Sequence, residues 1–505
     1  MATQGEKLAT SRKILADLIR GSNRTVFRST EFSRVHRERL GQAGFLIEII
    51  KGWLLVADPT KRAGESTLWY ANFWNFLSVF LEERFGSAYC LSAESSLALH
   101  VGSPTIPTQV TAITERPSGQ TVGLPFSTSL FLYQDAKNLP QVREIKNGLQ
   151  AMALPEAICR LTKTFFAQHP VEAGVALSLV SDPGQLLHFL LLHGQTTMAG
   201  YLVGAYRHMG RPDVAQRILE SMTAAGHKII VENPFTKPVA SLPARSASPH
   251  ANRLQALWFH YRKAVLNAFP AAPGLPHHSK TYLSAVDGHY VKDAYNSLSI
   301  EGYQVSPTLI EKVYQGAWDP VENPGDASQR DALAAKGYHL AFEAVRTSLQ
   351  RVLDGDNPGV VVKEDLPRWY RSLFSPSVQA GILQDYHLAG YRSHQVYIQN
   401  SRHVPFPQNA LLDSMDMLFD LLEREESPAV RAVLGHFFFV HIHPYSDGNG
   451  RLGRFLMNVM MASGGYPWTI IPVARRAEYM NALEQASCED NIFDFVDFIK
   501  SLGFE

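Results

Sequence analysis

From about Leu254 onward, apolar residues recur at intervals of three and four. HLAFEAVRTSLQRVL, ALLDSMDMLFDLLERE, SPAVRAVLGHFFFVHI, RLGRFLMNVMMASGG, ARRAEYMNALEQAS and NIFDFVDFIKSL all repeat that spacing, which predicts amphipathic helices with a buried stripe each. Ser427 followed by Pro428 reads as an N-cap with proline in the first turn, and Gly464-Gly465 stands where a C-cap belongs. The expected C-terminal half is all-α. Between Trp69 and Ala225 the pattern changes to helices (WYANFWNFLSVFLEERFG, SAESSLALHVG, GQLLHFLLLHG) mixed with short alternating strands such as QVTAITE and SLFLYQ. That stretch reads as α+β.

The first 57 residues add a third pattern. SRKILADLIRG predicts a short helix, STEFSRVHRERLGQAG a second one capped by Ser29 or Thr30, and FLIEII and WLLVA two strands about a Lys51-Gly52 turn. Helices followed by a hairpin predict a winged helix, with Arg34 and Arg37 on the reading helix and Arg24 and Arg28 placed to hold phosphates. A small helical module packed on the next domain is the plainer alternative. Residues 1–58 are therefore expected to be winged-helix-like, 59–225 α+β, 226–252 a linker rich in Pro, Ser and Ala, and 253–505 helical. Over roughly the first 220 residues, the winged helix with YCLSAESSLALHVGS, short strands and a helical tail loosely resembles AbiE-type antitoxin regulators.

Composition narrows the picture. The chain has 505 residues, 45% of them apolar and 19% charged, which fits several globular domains and not a disordered chain. Lys plus Arg number 47 and so do Asp plus Glu, so no overall field points to nucleic acid or membrane. The first 57 residues nevertheless carry ten basic against five acidic side chains, a local excess of five. Three cysteines, widely spaced, argue against a disulfide framework. No leader and no span of apolar residues is evident, so a cytoplasmic location without membrane contact is expected.

One segment carries chemistry: His443-Pro444-Tyr445-Ser446-Asp447-Gly448-Asn449-Gly450-Arg451-Leu452-Gly453-Arg454. Proline disfavours helical geometry in the residue before it, so a helix should end near Ile442 and present His443 at its rim. The next helix should start near Gly450, and Gly448, Asn449 and Gly450 allow tight or left-handed backbone that turns N–H groups into an anion nest. Arg451 and Arg454 in the first turn can close on further phosphate oxygens. Asp447 can hold Mg²⁺ bridging two phosphates, and His443 has the right pKa range to deprotonate a hydroxyl. His436, His441, His443 and Asp447 could be imagined as a transition-metal cluster, but His436 and His441 lie about 140° apart on a helix. Core histidines are the expectation.

This segment resembles the Fic family signature HPFx(D/E)GNGRxxR, with Tyr445 in place of the usual phenylalanine. The resemblance spans about Leu254 to Glu505. It implies an all-α Fic domain with a β-hairpin flap, transferring AMP from ATP to a Ser, Thr or Tyr hydroxyl of a target protein or of itself, with Mg²⁺ or Mn²⁺ as the metal. It further implies that His443 is the general base, Asp447 the metal ligand, and Gly448, Asn449 and Gly450 the anion hole. Arg451 would bind phosphate and Arg454 the γ-phosphate. In the Doc branch of this fold, lysine replaces the second glycine, so Gly450 favours nucleotidyl transfer over phosphate transfer.

Upstream, Ser297-Leu298-Ser299-Ile300-Glu301-Gly302 fits the family's inhibitory pattern (S/T)xxxE(G/N). The resemblance implies that Glu301 pairs with Arg454 and withdraws it from ATP; the same carboxylate could instead orient water for removal of AMP. Residues 390–407 read as two short strands around Gln399-Asn400, the position of the flap on which a target segment would lie. Two other functions stay open: a DNA-binding, antitoxin-like regulator with the Fic domain as sensor, reading duplex DNA through residues 1–58, and a Fic enzyme using another nucleotide donor. Neither the target protein nor the oligomeric state is legible.

Overall fold

A computed structural model describes residues 3–22, 24–59, 66–116, 119–240, 242, 248–276, 278–316 and 330–503; most of the Pro- and Ser-rich run at 240–249 lies outside these. The chain divides into two compact units, residues 1–237 with 397–404, and residues 238–396 with 405–505.

The first unit opens with α1 (Gln4–Ser22), β1 (Val26–Arg28), α2 (Arg34–Gln42), β2 (Leu46–Ile50) and β3 (Trp53–Val56). The strands form an antiparallel sheet in the order β1-β3-β2, and Leu15, Phe27, Phe32, Leu40, Leu46 and Leu54 close its core. Gly52 turns the hairpin at φ 87°, a conformation glycine adopts without steric cost. The cap of α2 is Ser33, whose hydroxyl accepts from His36 N, and not Ser29 or Thr30 as the sequence suggested. Those two residues instead form a single tight turn with Glu31, whose carboxylate accepts from Arg28 N at 2.6 Å. Two of the arginines expected to hold phosphates have partners inside the unit. Arg24 pairs with Glu31 at 2.6 Å and covers Phe27, while Arg28 pairs with Glu83 at 3.0 Å and covers Trp53.

Next come α3 (Thr67–Phe85), β4 (Tyr89–Leu91), α4 (Ala93–His100), β5 (Gln109–Thr114), β6 (Gly119–Leu124) and β7 (Thr128–Gln134). Their sheet runs β4-β5-β7-β6 with only β5 and β7 parallel, and α3 buries Trp69, Phe73, Phe76 and Leu77 in the same core. A hairpin of β8 (Arg143–Lys146) and β9 (Leu149–Met152) leads into six helices, α5 to α10, between Leu154 and Ala224. Residues 228–233 then run along α9 (Thr196–His208). A Cβ on Gly200 would lie 2.1 Å from Ile230 O, and one on Gly204 2.2 Å from Glu232 O, so the backbone sits where side chains would be. Residues 397–404 also belong to this unit: Ile106 N donates to Arg402 O at 2.9 Å and Val404 N to Pro104 O.

The second unit has no strand among its described residues. Its helices are α11 (Pro249–Ala268), α12 (Ser279–Ile300), α13 (Pro307–Tyr314), α14 (Arg330–Leu353), α15 (Pro358–Gln379), α16 (Leu411–Arg424), α17 (Pro428–Ile442), α18 (Asn449–Ala462), α19 (Arg476–Cys488) and α20 (Phe493–Lys500). α14 and α15 approach closely at Gly337, where a Cβ would lie 2.0 Å from Leu373 O. α15 contains Pro367 and Pro376; the Ser372 carbonyl, which Pro376 cannot serve with an N–H, accepts from the Ser375 hydroxyl instead. α17 starts as the sequence indicated, with Ser427 Oγ accepting from Val430 N and proline at the first position. α17 and α18 bury Phe437, Phe438, Leu452, Phe455 and Leu456.

The two strands expected over residues 390–407 are not formed. That stretch is irregular, turning at Asn400 with φ 57°, and its only ladder contact is one antiparallel bridge between His403 and Thr105. Three cysteines are free, and among the described residues no single helix is long and apolar enough to cross a membrane.

Candidate active site

The loop between α17 and α18 positions the expected residues. α17 ends at Ile442, and His443 caps it with left-handed backbone, φ 56° and ψ 59°. The conformation is sterically costly for a residue with a Cβ, and the bonds around it hold it in place. His443 N donates to Phe439 O, Arg392 Nε donates to His443 O at 2.9 Å, and Arg392 N donates to Pro444 O at 2.9 Å. The same buried guanidinium also donates to His394 O and Phe406 O. Arg392 was not among the residues the sequence singled out; a lone arginine in a polar loop carries no periodic or motif signal.

The imidazole Nδ1 of the half-buried His443 lies 3.2 Å from Val440 O. A carbonyl can only accept, so Nδ1 carries the proton and Nε2 keeps its lone pair. Burial, reinforced by the Arg392 charge, pushes the imidazole pKa down to about 4, so the ring is neutral near pH 7.

Downstream, Asn449 locks the loop: its side-chain oxygen accepts from Tyr445 N at 2.9 Å and its amide donates to Tyr445 O at 2.8 Å. The Tyr445 ring is buried and stacks on Tyr370 with centroids 3.9 Å apart, so the tyrosine takes the packing place expected of phenylalanine. Gly448 precedes α18 with φ 84°, and a Cβ there would meet the Phe374 ring at 2.9 Å. Gly450 differs from the expectation of special backbone, because it is an ordinary helical residue. Its lack of a side chain serves space: a Cβ would lie 2.2 Å from Glu301 Oε1. The first donor of the helical ladder is Leu452, to Gly448 O, which leaves the N–H groups of Asn449, Gly450 and Arg451 ahead of it at a helix N-terminus.

Both arginines are buried. Arg451 lies between the Tyr303 and Phe374 rings, 5.1 and 5.2 Å from their centroids, and its Nη2 is 3.1 Å from Asp447 Oδ2. Arg454 donates from Nη2 to Glu301 Oε1 at 2.7 Å and to Ser297 O at 3.0 Å, and from Nε to Ser297 Oγ at 2.8 Å. Burial opposes its charge and the Glu301 carboxylate more than restores it, so the group stays cationic. Arg454 Nη1 and Arg451 Nε are buried with no hydrogen-bond partner among the described residues. Glu301 is the C-cap of α12, followed by Gly302 at φ 85°. The structure therefore joins Ser297 and Glu301 to Arg454 across more than 150 residues of chain.

Asp447 is about half exposed, with Oδ1 accepting from Gly448 N at 2.6 Å. Among the described residues no group of three or more His, Cys, Asp or Glu side chains could hold a metal ion by itself. A single exposed carboxylate suits a magnesium ion that takes its remaining ligands from phosphates and water. His436 Nε2 bonds Tyr479 Oη at 2.7 Å and His441 Nδ1 bonds Ser487 Oγ at 3.2 Å, so these two are core histidines.

Residues 363–461, from α15 through α18, match the Fic/DOC family. This part of the chain is similar to Fic domains. Curated relatives of the Fic domain include two proteins named protein adenylyltransferase Fic, from Drosophila willistoni (31% identical over 47% of this chain and 45% of that protein) and from Drosophila virilis (30% over 42% and 40%). The chain thus spans under half the length of the curated relatives it matches. A solved structure of Fic-1 from C. elegans aligns with 69% of this chain and 87% of that one, at 18% identity and a TM-score of 0.37.

Proposed function

We propose that the Fic domain transfers AMP from ATP to a hydroxyl side chain of a protein, and that Glu301 restrains the reaction. The observation that carries this reading is the joining, at one loop, of a neutral imidazole with a free Nε2 to a helix N-terminus flanked by two buried arginines with unpartnered nitrogens. His443 Nε2 takes the proton of the incoming hydroxyl while its oxygen attacks the α-phosphorus; the bond to the bridging oxygen breaks and pyrophosphate leaves. The Asn449, Gly450 and Arg451 amides and the Arg451 guanidinium stabilise charge on the phosphate oxygens. Asp447 would hold the magnesium or manganese ion, which supplies charge neutralisation between phosphates when bound.

Glu301 keeps Arg454 occupied and fills the space beside Gly450, so bound triphosphate would lack its third anchor. Relatives named protein adenylyltransferase support the same reaction class. The test uses ATP labelled at the α- or the γ-phosphate. Protein labelled only by the α-label supports adenylylation; label from the γ-position indicates phosphoryl transfer, and no label from either in any variant argues for a non-catalytic sensor.

The element order α1-β1-α2-β2-β3, with the strands paired β1-β3-β2, supports a second, separate role for residues 1–58 as a winged helix on duplex DNA. Arg34 and Arg37 on α2 are the contacts to test, Arg34 being paired with Glu38 in an exposed ion pair. Salt-dependent duplex binding lost on changing both to alanine supports it.

A further inference from the structure

The end of α12 is a Schellman turn. Gly302 N donates to Ser299 O at 3.0 Å and Tyr303 N to Leu298 O at 3.1 Å, with Gly302 in the left-handed region at φ 85°. These bonds fix the backbone of Glu301 and Tyr303 on either side of one glycine. Glu301 meets Arg454 at 2.7 Å, and Tyr303 meets Arg451, whose guanidinium carbon stands over the ring 5.1 Å from its centroid. One helix end thus addresses both arginines of the first turns of α18.

The two contacts differ in kind. A carboxylate binds the N–H edge of a guanidinium, the edge that a phosphate would use, whereas an aromatic ring attracts the cation over its face and leaves that edge free. Arg451 is 1% exposed, Tyr303 9% and Phe374, the second ring against it at 5.2 Å, 6%. Asp447 Oδ2 is 3.1 Å from Arg451 Nη2, yet neither Nη2 nor Nε makes a hydrogen bond among the described residues. The rings, shielded from water together with the cation, therefore do most to set where it lies. Arg330 also stands over Tyr303, at 5.1 Å, but it is exposed, so water weakens that attraction.

We propose that Tyr303 is a positioning residue for Arg451: its ring holds the guanidinium with the N–H edge open to a nucleotide phosphate, so the turn that carries Glu301 to Arg454 also readies Arg451. The proposal rests on the reading that Arg451 binds phosphate. In full-length protein carrying Glu301→Gly, ATP affinity is measured by calorimetry for Tyr303→Leu, Tyr303→Phe, Arg451→Ala, and Tyr303→Leu with Arg451→Ala. Tyr303→Leu should weaken ATP about tenfold, and Tyr303→Phe less than about twofold because the ring is kept. Once Arg451 is alanine, Tyr303→Leu should cost less than about twofold more, since the ring acts through that guanidinium. Unchanged affinity in Tyr303→Leu, a loss in Tyr303→Phe equal to that in Tyr303→Leu, or the same loss with and without Arg451 overturns the proposal; the last is what general loosening produces. Tyr303→Met, flexible enough to fill the gap, takes the place of Tyr303→Leu if that protein does not fold, with the same outcomes. An Arg451→Ala protein that binds ATP as well as its parent defeats the phosphate reading of Arg451 itself, and this proposal with it.

Discussion

Glu301 and Gly450 share one space: a Cβ at position 450 would lie 2.2 Å from Glu301 Oε1, while the same oxygen accepts from Arg454 at 2.7 Å. Under the proposed function, the glycine of the phosphate loop would also be the seat of the inhibitory carboxylate. Gly450→Ala should destabilise the wild-type protein by about 1–3 kcal/mol through overpacking. In the Glu301→Gly background the loss should be less than half as large, because the atom it meets is gone. Thermal melts of the four proteins check this, and equal losses in both backgrounds would show that the crowding lies elsewhere.

With His443 as the proposed base, the acid limb of the reaction should report its imidazole. Only the neutral imidazole can accept a proton, and burial lowers its pKa, so activity should lie on its plateau from pH 6 to 8 and fall only at lower pH. Glu301 contributes a small upward pull on that pKa, so Glu301→Gly should not move the limb to higher pH. The pH profile of kcat/KM for Glu301→Gly is the check; half-maximal activity at 6.5 or above would contradict the half-buried, neutral base.

Arg392 serves the carbonyls of His443, His394 and Phe406 with one guanidinium. Arg392→Lys cannot span all three and leaves buried acceptors unmet, each costing about 1–3 kcal/mol. We expect a lower melting temperature and kcat reduced by about tenfold or more with KM for ATP little changed, since the left-handed cap under His443 loosens while the phosphate loop is untouched. A change confined to KM would remove the link to His443.

Much of this was legible because it is local. The 3.6-residue period of the helical C-terminal half, the Ser427-Pro428 start of α17 and its end before Pro444 are written in neighbouring residues. The roles that depend on distant chain were harder to read. α15 hides behind Pro367 and Pro376, which signal breaks until one sees Ser375 serving the freed carbonyl. Gly450 looked like a backbone device and is a matter of room, visible only once Glu301 sits beside it. The sandwich of Arg451 between Tyr303 and Phe374 joins residues far apart in sequence with no spacing rule to reveal it. The expected hairpin at 390–407 failed because its backbone groups find partners elsewhere: Arg402 O and Val404 N bond Ile106 and Pro104, and Arg392 takes Phe406 O.

The most direct test of transfer by His443 under restraint by Glu301 is AMP incorporation from α-labelled ATP, measured side by side in wild type, Glu301→Gly, Arg454→Ala, Glu301→Gly with Arg454→Ala, and Glu301→Gly with His443→Ala. Glu301→Gly should exceed wild type by at least about tenfold, through better orientation of the α-phosphate for attack. Both proteins with Arg454→Ala should stay low, since that change breaks the ion pair but also removes a phosphate ligand, and the protein lacking His443 should incorporate none. Equal incorporation by wild type and Glu301→Gly, or label persisting without His443, would contradict the account.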